Sequence, residues 1–372
     1  MKKIILLSAI ILLVVALRYK PESKPDQAVA PAPSPSSVKS EEIIAQNLQI
    51  PWDVDFLPAA AEGEPRQGRG EILVTERPGN LLVIKGDKTV IKVDGVRHIG
   101  EGGLMGIAVH PDFKSNNWLY LYFTSQVGSK ITNRVERYKL SGNQFSEKKV
   151  IIEGIPGSSV HDGGQLDFGR DDLLYITTGD AGDQNSAQDK NSLNGKILRL
   201  KDDGSIPDDN PFGNAVYSYG HRNPQGIAWD DLGRLWATEH GPSGNETGND
   251  ELNLIEKGKN YGWPVIRGTQ KREGMETPVI ESGTAETWAP SGLAYHNGRL
   301  FFSGLRGSTL YAFNSSDHSL QKHLINKFGR LRAAKIGPDN MLYITTSNTD
   351  GRGTPRDGDD KLIRIDPSAI LK

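Results

Sequence analysis

His161 stands in the run His161-Asp162-Gly163-Gly164, and Asp180 follows at the far end of an apolar stretch, Leu173-Leu174-Tyr175-Ile176-Thr177-Thr178. That stretch reads as a β-strand delivering Asp180 into a Gly-rich loop, and the two glycines let backbone approach a ligand closely. A carboxylate bonded to one imidazole nitrogen fixes the tautomer and leaves the other nitrogen as a general base. A turn histidine beside a turn-capping aspartate is the plainer reading of the two residues alone.

Other polar groups recur in similar settings. Glu101 opens Glu101-Gly102-Gly103, and Arg222-Asn223 lie in Tyr219-Gly-His-Arg-Asn-Pro-Gln-Gly. Then come Glu239-His240-Gly241-Pro242, Asp250-Glu251, Tyr261, Trp288, Arg306, Arg330 and Arg332. Four arginines converging in a chain of net charge -2 would make a cationic pocket suited to a polyanion held by bidentate guanidinium contacts. Arg330 and Arg332 share a face if their segment is extended. Read singly, they are solvated strand residues, Glu251 a loop acid and Trp288 a core aromatic. His110, His221, His240 and His296 sit in turns or at strand ends and read as structural, although His240 borders the Gly-Pro turn.

The elements that must position these groups repeat along the chain. An apolar strand, a short turn with Asp, Gly or Asn, and a second strand opening on Leu plus an aromatic or aliphatic residue recur from about residue 42. Val54, Ile107, Leu166, Ile227, Leu293 and Ala334 begin or lie in the first strands; Glu71, Trp118, Leu173, Arg234, Arg299 and Met341 open the second. Hairpins at intervals of roughly 40 to 65 residues without helix-period segments between them predict an all-β fold, a six-bladed β-propeller of four-stranded antiparallel blades. The closing blade pairs 361–366 with a strand near 42–48. The chemistry is expected in loops following the second strand of each hairpin, where Asp180, His240 and Asn348 lie.

Length and a hydrophobic content of 36% support a globular core, and 42 Gly with 21 Pro favour strands joined by turns. No Lys/Arg excess or long basic run is present, which argues against a nucleic-acid partner. The absence of Cys excludes disulfides, thiolate metal sites and thiol nucleophiles. Met1-Lys2-Lys3 followed by apolar Ile4 to Leu17 predicts that residues 1–18 are a signal peptide or an N-terminal membrane anchor, hence export to the periplasm or cell surface. Residues 19–40, rich in Pro and Ser, read as a linker. The propeller domain spans 41–372.

The ordered motifs EGGLMGIAVHP, HDGGQL, TTGDAG, YGHRNPQG, EHGP, DELNLIEKGKNYGWP and GRLRA resemble those of the soluble sugar dehydrogenases that depend on pyrroloquinoline quinone (PQQ), over most of residues 45–366. The trimmed loops look more like the aldose sugar dehydrogenase branch than the glucose dehydrogenase type. The resemblance implies PQQ and Ca2+ as cofactors and an aldose substrate, and leaves the electron acceptor unknown. It makes His161 the base at the substrate hydroxyl, Asp180 its orienter and a substrate contact, and Trp288 a substrate contact. Arg222 and Asn223 lie at the quinone, Arg306, Arg330 and Arg332 at its carboxylates, and Glu101 beside cofactor and substrate. The carbonyls of Gly241 and Pro242 hold one Ca2+, and Glu251 with Tyr261 a second, structural one. Glu101 departs from the Gln of the glucose dehydrogenases, Arg306 from the usual Lys, and Ser243 to Asn249 is longer. A propeller using the same pocket without quinone, as a glycan or protein binder or a calcium-dependent lactonase, is the alternative.

Overall fold

The computed structural model describes residues 40–58, 70–242 and 247–371. The expected signal or anchor segment and nearly all of the linker lie outside them. Among the described residues no helix is long and apolar enough to cross a membrane.

Six four-stranded antiparallel sheets follow one another. Blade 1 contains Pro51–Phe56, Ile72–Glu76, Asn80–Lys85 and Asp87–Lys92; blade 2 contains Leu104–Val109, Trp118–Val127, Lys130–Ser141 and Gln144–Pro156. The first strands of blades 3 to 6 are Leu166–Phe168, Pro224–Trp229, Pro290–His296 and Leu331–Ile336, and their second strands are Leu174–Thr178, Leu235–Glu239, Arg299–Gly304 and Leu342–Thr346. Each hairpin anticipated from the sequence is thus the inner pair of a blade. Blade 6 is completed by Leu362–Ile365 and, from the other end of the domain, Glu41–Ala45, which pairs Glu41 with Ile365 and Ile43 with Ile363. This is the predicted closure, and the fold is a six-bladed β-propeller.

Period-two alternation explains why such sheets stack. In blade 2, Leu119, Leu121 and Phe123 face the cluster shared with blade 1, whereas Tyr120 and Tyr122 face the one shared with blade 3. Comparable clusters fill the other blade interfaces, with Tyr343, Val74 and Leu362 sealing blade 6 to blade 1. Each fully buried Leu or Phe contributes about 1.5–3 kcal/mol relative to exposure, so the ring closes on apolar area. No blade could bury both faces alone.

The inner two strands of a blade are antiparallel, so the start of the first and the end of the second lie at one end of the ring. Register pairs such as Pro224 with Glu239 and Leu331 with Thr346 mark that end. The first strands of blades 1, 2, 4, 5 and 6 all carry an irregularity there. A bulge re-aims side chains, and Asp53, Gln225, Ser291 and Arg332 all fall within these shifts.

Candidate active site

Loops at that end enclose a cavity of about 320 Å3 whose lining includes Glu101, His161, Arg222, His240, Gly241, Pro242, Asp250, Arg306, Arg330 and Arg352. His240 and Arg306 follow second strands, as expected. Glu101, His161, Arg222 and Arg330 instead come from loops entering first strands, a set the sequence expectation had not singled out.

His161 occupies a left-handed backbone conformation, φ 55°. Its Nδ1 lies 2.7 Å from Asp180 Oδ1. Asp180 is fully buried, and its Oδ1 also accepts from the Gly182 amide at 2.8 Å while Oδ2 accepts from Trp263 Nε1 at 2.8 Å. Burial pushes this carboxyl up, but the bonds from His161, Gly182 and Trp263 outweigh it and hold it below the usual carboxylate range. A carboxylate only accepts, so Nδ1 carries the proton and Nε2 is left as the basic nitrogen. Asp180 therefore meets a ligand through His161, having no exposed surface of its own.

Backbone contacts lock the dyad. The Asp180 amide donates to the Arg222 carbonyl at 2.8 Å and the Ala181 amide to the His161 carbonyl at 3.1 Å. A Cβ at Gly179 would lie 1.9 Å from that same His161 oxygen, so only glycine fits. Asn223 is buried beneath the loop: Oδ1 accepts from the Gly163 amide at 3.0 Å and Nδ2 has no partner among the described residues.

Arg222 is buried in the cavity wall with its guanidinium over Trp263, 5.4 Å from the ring centroid. Its amide donates to Glu239, which also takes His221 Nδ1 at 2.9 Å. His221 bonds in turn to Ser218 Oγ at 2.9 Å, but all three groups are buried, so this chain of bonds is a support and has no access to a substrate.

The other arginines differ in their partners. Arg306 is exposed at the cavity and its guanidinium has no partner among the described residues. Arg330 lines the cavity and is paired with Asp350 at 2.8 Å. Arg332 is not among the residues lining the cavity: it lies buried in the bulge, donates to Gln225 Oε1 at 2.8 Å and packs over Trp52. Burial pulls Arg332 down to about 9, and its Nε has no partner among the described residues. Trp288 is not on the wall either. Its ring packs in blade 5 against Phe302 and Tyr311, while neighbouring Thr287 and Ala289 line the cavity.

Gly241 and Pro242 line both this cavity and a narrow adjoining crevice that holds Glu239, Glu251 and Tyr261. Asp250 shapes the turn, accepting from the amides of Gly241, Trp288 and Ala289 at 2.7 to 2.9 Å. Burial, with Glu239 nearby, pushes the Glu251 carboxyl up to about 8. The Tyr261 hydroxyl points elsewhere, donating to the Leu254 carbonyl at 2.6 Å. Among the described residues no three His, Asp or Glu side chains are grouped to hold a metal. A cation here would depend on main-chain oxygens, and those of Gly241, Pro242 and Tyr261 accept no hydrogen bond from a described residue.

Sequence reasoning missed three supports. Trp263 orients Asp180, Arg77 holds the Glu101 loop, and Arg352 pairs with Glu101 at 2.6 Å. Only Trp263 had a signal, inside the NYGWP motif.

The family described as Glucose / Sorbosone dehydrogenase matches residues 48–364. The chain belongs to this family. A glucose/sorbosone dehydrogenase relative, the aldose sugar dehydrogenase YliI of Escherichia coli, is 31% identical over 90% of this chain and 94% of its own length. Quinoprotein glucose dehydrogenase B of Acinetobacter calcoaceticus is 33% identical over 73% of this chain and 61% of its length. The solved PQQ-bound aldose sugar dehydrogenase of Streptomyces coelicolor superposes with a TM-score of 0.79 at 38% identity, covering 88% of this chain and 98% of that one. The protein is accordingly an oxidoreductase of the glucose/sorbosone dehydrogenase family.

Proposed function

We propose that this enzyme oxidises aldose sugars at the anomeric carbon to lactones, using PQQ and Ca2+, with His161 as general base and Asp180 as its orienter. The observation that carries the proposal is His161, backed by buried Asp180, in the wall of a cavity that also presents Arg222, Arg306 and Arg330. The aldose sugar dehydrogenase and quinoprotein glucose dehydrogenase relatives support it and disfavour a binding module or lactonase.

The residues present fit the cofactors. A planar tricarboxylic quinone needs several cationic donors, and Arg306 presents on the wall a guanidinium with no partner among the described residues, with Arg330 and Arg222 lining the same cavity. Calcium takes carbonyl oxygens readily, and those of Gly241 and Pro242 are uncommitted among the described residues. Glu251 and the Tyr261 carbonyl would hold the second ion. When bound, the quinone would supply the acceptor for hydride leaving the sugar, and Ca2+ would polarise that acceptor.

Asp180 keeps the Nδ1 proton in place, so Nε2 of His161 accepts the proton of the anomeric hydroxyl. Proton loss from oxygen and hydride loss from carbon leave the lactone carbonyl. Arg222 contributes a desolvated positive charge on the same wall, where electrostatic stabilisation is strongest. The proposal includes export, on the basic and apolar pattern of residues 1–18.

The test is to add PQQ and Ca2+ to purified apoprotein and follow dye reduction with several aldoses. Sugar-dependent reduction is expected with both cofactors and not with either alone. No reduction, together with no change in quinone absorbance on mixing, would sink the proposal.

A further inference from the structure

Glu101 and Arg352 are 251 residues apart in sequence, one in the loop entering blade 2 and the other in the loop after the second strand of blade 6. They meet at the cavity, Glu101 Oε1 accepting from the Arg352 guanidinium at 2.6 Å. The second oxygen, Oε2, accepts from the backbone amide of His161 at 2.9 Å. Both carboxylate oxygens are therefore engaged, one by a cation and one by the main chain of the proposed base.

The surroundings make this a built device. Arg77, from the blade lying between the other two, is buried beneath and donates to the carbonyls of Gly100 and Gly102. The Glu101 amide donates to the Ser159 carbonyl at 2.9 Å. Gly100 is so close to that strand of chain that a Cβ would lie 2.1 Å from the Ser159 oxygen. The Glu101 loop thus rests directly on the loop that carries His161. Burial alone would push the Glu101 carboxyl up, yet the His161 amide and Arg352 bring it down to about 2, so it is ionised at any working pH.

What needs holding is the His161 backbone. A non-glycine residue in the left-handed region is conformationally costly, and it persists only where surroundings over-determine it. We propose that Glu101 is a positioning residue that clamps the left-handed main chain of His161, and that Arg352 fixes Glu101 for this task from across the cavity rim. This inference rests on the proposed role of His161 as base. It adds a function for Arg352, whose half-exposed side chain would otherwise pass for a solvated loop arginine.

Two readouts separate the device from the chemistry. In apoprotein, hydrogen exchange at the His161 amide reads the clamp without any cofactor or sugar. Glu101→Ala is expected to speed that exchange tenfold or more, and Arg352→Ala about threefold. In the loaded enzyme, Glu101→Ala is expected to lower kcat by about tenfold to a hundredfold, because small misplacements of a reacting group carry costs of that order. PQQ affinity should change by less than about threefold. Glu101→Gln retains an acceptor for the His161 amide and should recover part of the loss. The charge swap Glu101→Arg with Arg352→Glu restores the ion pair and not the acceptor, so its kcat should stay at the Glu101→Ala level. Unchanged His161 exchange in Glu101→Ala, or recovery of kcat by the swap, would overturn the inference. Should Glu101→Ala fail to fold, Arg352→Ala and the swap decide it. If the wild-type protein oxidises no sugar, the functional proposal falls while the exchange measurement still decides the clamp.

Discussion

The two sides of the cavity differ in how completely their polar groups are partnered. On the His161 side the groups that hold the imidazole and its main chain are fully engaged: Asp180 takes bonds from His161, Gly182 and Trp263, and Glu101 takes the His161 amide and Arg352, while Asn223 Nδ2 and Asp162 Oδ2 are buried without a partner among the described residues. On the arginine side Arg306 has no partner among the described residues, Arg332 Nε and His240 Nε2 are buried without one, and the Gly241 and Pro242 carbonyls accept nothing from described residues. Buried unpartnered polar atoms are costly unless something else satisfies them. Under the proposed function, the contrast separates a preorganised reacting half from a half that its ligands would complete.

Breaking the preorganised half should have the largest kinetic effect. Asp180→Asn removes the charge that fixes the Nδ1 proton and turns one of the two acceptor oxygens into a donor, and is expected to lower kcat about a hundredfold to a thousandfold, with PQQ affinity little changed, as single-turnover rates and a quinone absorbance titration would show. Arg306→Ala should do the converse, weakening PQQ binding about tenfold to a hundredfold, the equivalent of about 1.5–3 kcal/mol for a hydrogen bond to a charged group, with a smaller change in kcat at saturation. If Asp180→Asn instead abolished binding and Arg306→Ala only slowed turnover, the division would be wrong. Trp263→Phe deletes one of several bonds to Asp180 and should reduce kcat about tenfold or less.

The smallest effect concerns two buried carboxylates and stability. Asp180 is held below its usual value, so its contribution is present above the unfolded pKa and lost as pH falls through the folded one. Asp53, near the ring axis, is raised by burial from 3.8 to about 7, although Lys335 opposes the shift. Between those values the folded state holds a proton that the unfolded chain has lost, so stability falls as pH rises from about 4 to about 7. Denaturant unfolding across pH 3 to 8 should show Asp53→Asn flattening that segment and Asp180→Asn flattening the acid limb below it.

The blades were legible because their inner strands alternate apolar residues on both faces, as in Leu119 to Phe123. Outer strands were less so: Asp87–Lys92 is mostly exposed and Ile280–Glu281 spans two residues, leaving little apolar pattern to read. Within the site, His161 and Asp180 were readable from glycine spacing and a strand. The partners of Arg330 and Arg332 were not, because Asp350 and Gln225 reach them from loops and strands distant in sequence. Nor was Trp288 distinguishable from a wall residue, since burial of its ring depends on Phe302 and Tyr311 arriving from other strands. Arg352 carried no local signal, as its partner comes from the opposite end of the chain.

The most direct test of the central claim is His161→Ala, loaded with PQQ and Ca2+ and assayed for aldose-dependent dye reduction alongside a quinone absorbance titration. The predicted result is a loss of turnover of about a thousandfold with the cofactor still bound. Turnover within a few fold of wild type, with the cofactor bound in both, would contradict His161 as the base.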